Sequence, residues 1–488
     1  MELFLIGHDY KYASEQIMLM MFPQERPTYP TEPSGALRAE IVITHGARYA
    51  TAVCRITDPE RGAFSGRAAV SERKLNGKVE RDRWLQRAVK LAFYRAAVRL
   101  TGQTPPWGAV TGVRPGKLLR QMLEQTGSEK AAVREMMRSC SVSRERAELC
   151  MDAVRAALDA EKRLGARDVC LYVGIPFCPT RCAYCSFVSQ TVERSFALLE
   201  PFVEALLRDI EATAAAVREA QLRPAALYMG GGTPTTLSPE QLDRVLAALW
   251  GSFDLSACRE LTVEAGRPDT VTAEKLAVLK KWGVTRVSVN PQTMSDTVLE
   301  AIGRRHTARD VVRAVELVRS AGGLEINMDM IAGLPADSFE GFAASLDAVL
   351  ALAPENITVH TLALKKGSRI MLEGASVPSA ETVGRMLDFA SLRLRGSGFA
   401  PYYLYRQKYM SGGFENVGWT LPDKENLYNI CIMEELRSII SMGGGASTKL
   451  IGGSGRVERF FAPKYPLEYI QRIDKICPDK SKIKEFYK

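Results

Sequence analysis

Val169 to Phe187 reads VCLYVGIPFCPTRCAYCSF, an apolar run that breaks at Pro176 into three closely spaced cysteines. The run Val169–Ile175 has the continuous apolar character of a strand covered on both faces. Cys178, Cys182 and Cys185 follow at C-x3-C-x2-C spacing. Thiolates are the soft ligands that iron–sulfur clusters select. Three of them on one short loop hold three corners of a cubane [4Fe-4S] cluster and leave its fourth iron open to a small molecule. A zinc site would need paired C-x2-C halves and a fourth ligand. No nearby histidine or fourth cysteine supplies one.

Outward from this stretch, short apolar strands alternate with amphipathic helices, the texture of parallel β/α units. Six strands are expected: Val169–Ile175, Ala225–Met229, Glu260–Glu264, Arg286–Asn290, Glu325–Met330 and Asn356–Thr361. Helical patterns lie between them at Pro201–Glu219, Pro239–Trp250, Ala273–Trp282, Ala308–Ala321 and Phe339–Ala351. Six such units build a partial (β/α)6 barrel, in which chemistry collects at the carboxyl ends of the strands. Unusual residues fall at those ends. Gly230-Gly231-Gly232-Thr233 follows the second strand, where missing side chains let backbone groups approach a ligand. Glu264 closes the third strand, Gln292 follows the fourth, Asp329 lies near the end of the fifth, and His360-Thr361 end the sixth. One such residue reads as a helix cap or turn; polar groups at the same end of all six strands read as a shared pocket.

The flanks differ from this core. Residues 1–165 read as a separate N-terminal α/β domain, with strands near 1–7, 39–44 and 49–56 and helices near 78–100, 128–138 and 142–164. Within it, Val110–Leu118 (VTGVRPGKL) reads as a turn entering a helix. Residues 166–380 hold the barrel. Residues 381–488 form a smaller C-terminal region with a helix at Glu381–Ser397 and an aromatic segment, Tyr402-Tyr403-Leu404-Tyr405-Arg406, that reads either as a strand under the barrel mouth or as a wall of the site.

Composition bounds the possibilities. The 488 residues are 46% hydrophobic and 25% charged, ordinary for a globular protein of several domains. No run of about twenty apolar residues predicts a membrane span, and the start MELFL lacks the basic opening and apolar core of a secretion signal. The expectation is a cytoplasmic protein, and the seven scattered cysteines outside the loop fit small buried thiols in a reducing compartment. The net charge of +9 is interspersed, without the basic blocks that would argue for nucleic acid or an acidic membrane.

These segments together carry a resemblance. The three-cysteine loop with an aromatic residue before its last cysteine resembles that of radical S-adenosylmethionine (SAM) enzymes. GGGTPT, the strand with Ser288 and Gln292, Gly303-Arg304-Arg305-His306 and Ile326–Pro335 are similar to the oxygen-independent coproporphyrinogen III oxidase family. VTGVRPGKL, VEAGRPDT, LALKKGS and YYLYRQK bring the likeness closest to its HemZ-type branch and extend it over nearly the whole chain. The resemblance implies that Cys178, Cys182 and Cys185 hold a [4Fe-4S] cluster. It implies that Tyr172, Tyr184, Gly232, Thr233, Glu264, Gln292, Arg304, Asp329 and Thr361 line the SAM pocket, where Arg304 pairs with the cofactor's carboxylate.

The implied activity is oxidative decarboxylation of coproporphyrinogen III propionates to vinyl groups, started by a 5′-deoxyadenosyl radical. The implied partners are the tetrapyrrole, a low-potential electron donor of flavodoxin or ferredoxin type and an electron acceptor left open. Lys365, Lys366, Arg369 and Arg406 are the candidates for meeting the substrate's carboxylates. Two departures bear on this. The well-studied oxidase branch has a further cysteine where this chain has Phe187. A haem-chaperone branch shares that Phe but carries HNxxYW, where this chain has Lys424-Glu425-Asn426-Leu427-Tyr428-Asn429. Radical chemistry on another tetrapyrrole, such as methyl transfer to haem, and haem binding without turnover remain as alternatives.

Replacing Cys178, Cys182 and Cys185 together by serine should abolish the brown chromophore of anaerobically reconstituted protein. Iron analysis checks it: retention of about four irons per chain would mean that other residues are the ligands.

Overall fold

The computed structural model describes residues 1–185, 190–191, 195–363, 370, 376–407 and 411–488. The chain forms two compact units, Met1–Met151 and Asp152–Lys488. The division falls inside a helix, not in the loop after Gly165 where the sequence suggests it.

In the first unit β1 (Glu2–Ile6) runs parallel to β2 (Arg38–His45), with α1 (Lys11–Met21) between them. β3 (Tyr49–Asp58) and β4 (Gly62–Ser71) complete the sheet as antiparallel neighbours, in the order β1-β2-β3-β4. Alternating burial along β2 and β3 turns Ile41, Cys54 and Ile56 toward a core shared with α2 (Lys78–Thr101). Gly66 lets α2 lie against β4, because a Cβ there would stand 2.1 Å from the Ala92 carbonyl oxygen. The sequence pattern misses α1 and β4 for physical reasons. α1 has no side-chain cap, and β4 (GAFSGRAAVS) is mostly Gly, Ala and Ser, weak strand formers held by packing. α3 (Pro115–Thr126), α4 (Glu129–Cys140) and α5 (Arg144–Lys162) follow. VTGVRPGKL is the expected turn into a helix, with Pro115 at its first position.

The second unit is built on one eleven-stranded sheet. β5 (Asp168–Ile175) is followed by β6 (Phe177–Cys178) and β7 (Gln190–Thr191), which form a short parallel pair of their own. β8 (Arg223–Gly231), β9 (Glu260–Glu264), β10 (Arg286–Ser288), β11 (Glu325–Ala332) and β12 (Asn356–Thr361) then lie beside β5 in chain order, all parallel. These are the six expected strands. β10 stops two residues early, and the chain rejoins β11 through a bridge between Gln292 and Met330.

The connecting helices are α6 (Leu199–Glu219), α7 (Pro239–Ser252), α8 (Ala273–Lys281), the short α9 (Asp296–Ala301), α10 (Ala308–Ala321) and α11 (Phe339–Ala351). Their starts are written locally. Ser238 with Gln241 and Thr307 with Asp310 form capping boxes, and Thr272 and Ser338 cap α8 and α11.

The stretch from residue 381, expected as a helical region, also carries strands that extend both edges of this sheet. After α12 (Ala380–Gly396), β13 (Ala400–Arg406) and β14 (Glu415–Thr420) add antiparallel to β12. α13 (Leu427–Glu434) then closes the barrel at the amino ends of its strands. Glu260 accepts the Leu427 and Tyr428 N–H groups at 2.8 and 2.9 Å, placing a carboxylate at the positive end of the helix. Asn426 caps α13 and donates to Thr262 at 2.9 Å. The run Lys424–Asn429 therefore serves as a plug.

β15 (Ile439–Gly443) pairs in parallel with β5, and β16 (Ser447–Ile451) and β17 (Val457–Phe461) continue the sheet. The chain ends in α14 (Pro466–Gln471), α15 (Ile473–Asp479) and α16 (Ser481–Tyr487). Asp209 on α6, fully buried, ties these to the barrel. It meets Lys480 at 2.6 Å, the Gly443 N–H at 3.0 Å and the Tyr469 hydroxyl at 2.7 Å. Removing one partner of a buried pair strands the other charge. Lys480→Met should therefore cost about 3 kcal/mol or more in denaturant unfolding, and adding Asp209→Asn should recover part of it. A loss below about 1 kcal/mol, the range of exposed pairs, would contradict this role.

Candidate functional site

The site forms where the cysteine loop crosses the carboxyl ends of the barrel strands. Strand pairing sets Gly174 opposite Gly230 and Ile175 opposite Gly231. Beyond the paired residues, the Gly232 N–H donates to the Ile175 carbonyl at 2.7 Å and the Thr233 N–H to the Phe177 carbonyl at 2.7 Å. A Cβ on Gly232 would stand 2.4 Å from the Phe177 oxygen and 3.0 Å from Cys178 Sγ. Gly231 adds a φ of +109°, which glycine tolerates without strain. Thr233 Oγ1 donates to Cys178 Sγ at 3.6 Å.

The far end of the loop is pinned as well. The Ala183 N–H donates to the Ile302 carbonyl at 3.0 Å, Arg304 Nη2 donates to the Tyr184 hydroxyl at 2.8 Å, and Arg267 Nη1 donates to the Thr180 hydroxyl. Arg267 is itself held by both oxygens of Asp269 at 2.9 Å.

All three loop cysteines are half-buried thiols. Among the described residues no three His, Cys, Asp or Glu side chains gather closely enough to ligate a single metal ion. A cluster takes one thiolate per iron, so its ligands need a shared loop more than a shared point. The donor set fits a cluster: three soft thiols on one pinned loop, beside a glycine cradle and buried guanidinium N–H groups without acceptors.

Inside the barrel, Tyr172, Tyr228 and Tyr428 stack, with ring centroids 4.5 Å apart for the last two. The Tyr228 hydroxyl donates to Glu264 Oε1 at 2.5 Å. Burial drives the Glu264 carboxyl up to about 7 against that hydrogen bond, and the charge of Asp329 adds to the rise. Asp329 goes the other way. Burial pushes it up, but His360, Asn327 and Thr358 outweigh burial and hold it below its ordinary range. His360 Nε2 lies 3.6 Å from Asp329 Oδ2, and Asn327 donates to Asp329 Oδ1 at 2.9 Å. The Asp329 side chain is still 23% exposed, so the site is enclosed yet reachable. Two neighbouring carboxylates thus hold different protonation states near neutrality, the usual sign of separated roles. Gln292, buried with φ +69°, carries rare left-handed backbone for a non-glycine residue, and its N–H donates to the Asp329 carbonyl at 2.9 Å.

Eight of the nine sequence-derived pocket residues fall into three groups at the carboxyl end of the barrel. Tyr172, Glu264, Asp329 and Gln292 line the barrel side with Tyr228; Gly232 and Thr233 meet the loop at Phe177 and Cys178; and Tyr184 with Arg304 holds its far end. Thr361 is committed elsewhere: its hydroxyl donates to the Glu415 carbonyl and its N–H to Asn416 Oδ1, each at 2.8 Å. Arg406 is buried, and its Nε and Nη2 donate to the Gly413 carbonyl at 3.1 and 2.5 Å, closing the turn before β14. Lys365, Lys366 and Arg369 lie outside the described residues.

Sequence reasoning assigned no role to Arg267, Asp269, Tyr228, Tyr428 or His306. Arg267 and His306 stand in motifs that were legible, VEAGRPDT and GRRH. Arg267 reaches Thr180 across 87 residues of chain, and spacing alone does not disclose that contact.

The fold agrees with comparisons to known proteins. The family model of the Radical SAM superfamily matches residues 172–349. A Bacillus subtilis (strain 168) protein named oxygen-independent coproporphyrinogen-III oxidase-like protein HemZ is 39% identical over 391 residues, covering 79% of this chain and 78% of that protein. The heme chaperone HemW of the same organism is 33% identical over 239 residues, covering 47% of this chain and 61% of that protein. Among solved structures, Escherichia coli coproporphyrinogen III oxidase (HemN), a radical SAM enzyme, matches with a TM-score of 0.51 at 23% identity, over 66% of this chain and 72% of that one. That last likeness concerns the fold. The chain belongs to the radical SAM superfamily and, within it, to the family of oxygen-independent coproporphyrinogen III oxidase-like proteins. The family implies SAM and a [4Fe-4S] cluster. Among the described residues no helix is long and apolar enough to cross a membrane.

A raised folded-state pKa means that the folded chain holds a proton the unfolded chain has released. The stability this gives is complete below the ordinary carboxyl range and lost as pH rises through about 7. Glu264→Gln, which keeps an acceptor for Tyr228, should escape that loss. Its apo stability relative to wild type should rise between pH 5 and 8, by up to about 3 kcal/mol. Parallel denaturation curves for the two proteins would refute the buried neutral carboxyl.

Proposed function

We propose that this protein is a radical SAM enzyme that decarboxylates coproporphyrinogen III propionates to vinyl groups without oxygen, in haem biosynthesis. The observation that carries the cofactor half is Arg304. It is buried, one nitrogen is spent on Tyr184, and its Nε and Nη1 have no hydrogen-bond partner among the described residues. A guanidinium in that state suits the carboxylate of an amino-acid cofactor beside the cysteine loop. The substrate half is supported by the 39% identity to the HemZ protein, which covers 79% of this chain.

In this reading Cys178, Cys182 and Cys185 would hold the cluster and Arg304 the SAM carboxylate. Held by these residues, the cluster and SAM would supply radical chemistry to the substrate. The rest is the work of this chain. Asp329, kept ionised by His360 and Asn327, accepts from hydroxyls or an amine. Glu264, near its midpoint at neutral pH, can hold or release a proton at the same wall. The Tyr172–Tyr228–Tyr428 stack and the α13 plug fill the barrel below and exclude water.

Lys365, Lys366 and Arg369, which follow β12, are assigned to the substrate's propionates. A flavodoxin- or ferredoxin-type protein supplies electrons. Ten cysteines with no disulfide among the described residues support a cytoplasmic setting. Haem binding without turnover is the second reading, favoured by the 33% identity to HemW and by Phe187 where the oxidase branch has a cysteine.

Anaerobically reconstituted protein given SAM, a low-potential reductant and coproporphyrinogen III should release CO2 and form vinyl groups, read by mass spectrometry. Tight haem binding with no product would establish the second reading, and a methylated tetrapyrrole would move the substrate elsewhere in the tetrapyrrole class.

A further inference from the structure

A groove of about 610 Å3 opens in the first unit where α2 passes along β4. Clefts that hold small molecules span about 300–1,000 Å3. Arg67 from β4 and Arg95 and Arg99 from α2 line this one, and Val53 and Val98 give it apolar surface.

β4 is an edge strand, so part of its backbone faces outward. Arg95 Nη1 donates to the Arg67 carbonyl at 2.6 Å, and Arg99 Nη1 donates to the Ser65 carbonyl at 2.5 Å. These bonds cover the edge and fix both guanidinium groups in place. Each keeps further N–H groups in a planar fork that suits phosphate or carboxylate. Edge cover does not account for the charge. Arg95 and Arg99 stand one turn apart on α2, where like charges repel, and Arg67 brings a third cation to the same groove. Among the described residues no carboxylate pairs with any of the three.

Tyr94 is a second, independent sign. It lines the groove although it is only 6% exposed, and its hydroxyl has no hydrogen-bond partner among the described residues. Burial raises its pKa, and no hydrogen bond contributes. Buried polar groups are almost always paired, and the exceptions mark strain or something that binds. We propose that this groove binds an organic anion carrying two or more phosphate or carboxylate groups, which Arg67, Arg95 and Arg99 neutralise and the Tyr94 hydroxyl orients. Nucleoside triphosphates and propionate-bearing tetrapyrroles share that chemistry. The site is built from the first unit alone, so it does not depend on the cluster reading.

The test titrates the full chain with ATP and, separately, with coproporphyrin III, read by calorimetry. One of them should bind saturably with a Kd well below about 1 mM, more weakly as salt rises. The probe that binds names the source. Arg67→Gln should weaken that binding about tenfold and Tyr94→Phe about threefold, the effects of losing a charged and a neutral hydrogen bond. Both variants keep Arg95 and Arg99 on the β4 edge, and both should unfold at the wild-type midpoint. Hydrogen exchange on the wild-type chain needs no variant: the bound probe should slow exchange at Ser65–Arg67. Coproporphyrin that enters the barrel instead would bind both variants as it binds wild type and leave β4 exchange unchanged. That result, or no binding of either probe below about 1 mM, overturns the inference and leaves the radical SAM reading as it stands.

Discussion

The carboxyl end of β5 is pressed between two glycine turns, and the rest of the second unit depends on that contact. On one side Gly232 brings its backbone so near the Phe177 carbonyl that a Cβ would stand 2.4 Å away. On the other, Gly443 at the end of β15 faces Gly174, where a Cβ would stand 2.3 Å from the carbonyl oxygen. Main chain meeting main chain leaves little freedom at the point where the chain turns into the cysteine loop. The loop therefore starts from a fixed place, and its side-chain anchors at Arg267 and Arg304 have only to hold its remainder.

That contact links distant parts of the sequence. Gly443 is held through its N–H by Asp209, which also binds Lys480 and the Tyr469 hydroxyl. The C-terminal helices thus reach the cysteine loop through one buried carboxylate and one strand. At the amino end of the barrel, Glu260 and α13 perform a similar service, carrying Tyr428 into the stack beneath Glu264. The tyrosine stack in turn makes the site a poor home for a bare carboxylate. Glu264 answers by keeping its proton near neutrality, whereas Asp329 has His360 and Asn327 to hold it ionised.

Much of this was legible beforehand, and particular residues show why. The six parallel strands read correctly because a strand covered on both faces must be apolar throughout, and no tertiary information is needed to see that. The helix starts read because Ser238 and Thr307 cap from their own neighbourhood. Glu264, Gln292 and Asp329 drew notice because a polar residue at the carboxyl end of such a strand stands out against its own run. β4 and α1 were missed because their residues have weak preferences and are held by contacts made later in the chain.

The sequence by itself determined the order of the β/α units, the end of the barrel at which chemistry gathers, and the three thiols carried there. All are properties of residue type and spacing within a few turns of chain. Only the tertiary structure decided what the unpaired polar groups do. It spent Thr361 on the Glu415 carbonyl and Arg406 on Gly413, turned Lys424–Asn429 into a plug, and left two nitrogens of Arg304 without partners among the described residues. The reason is that hydrogen bonds and desolvation depend on which atoms meet in the fold, and those partners lie from 7 to 164 residues apart in the chain.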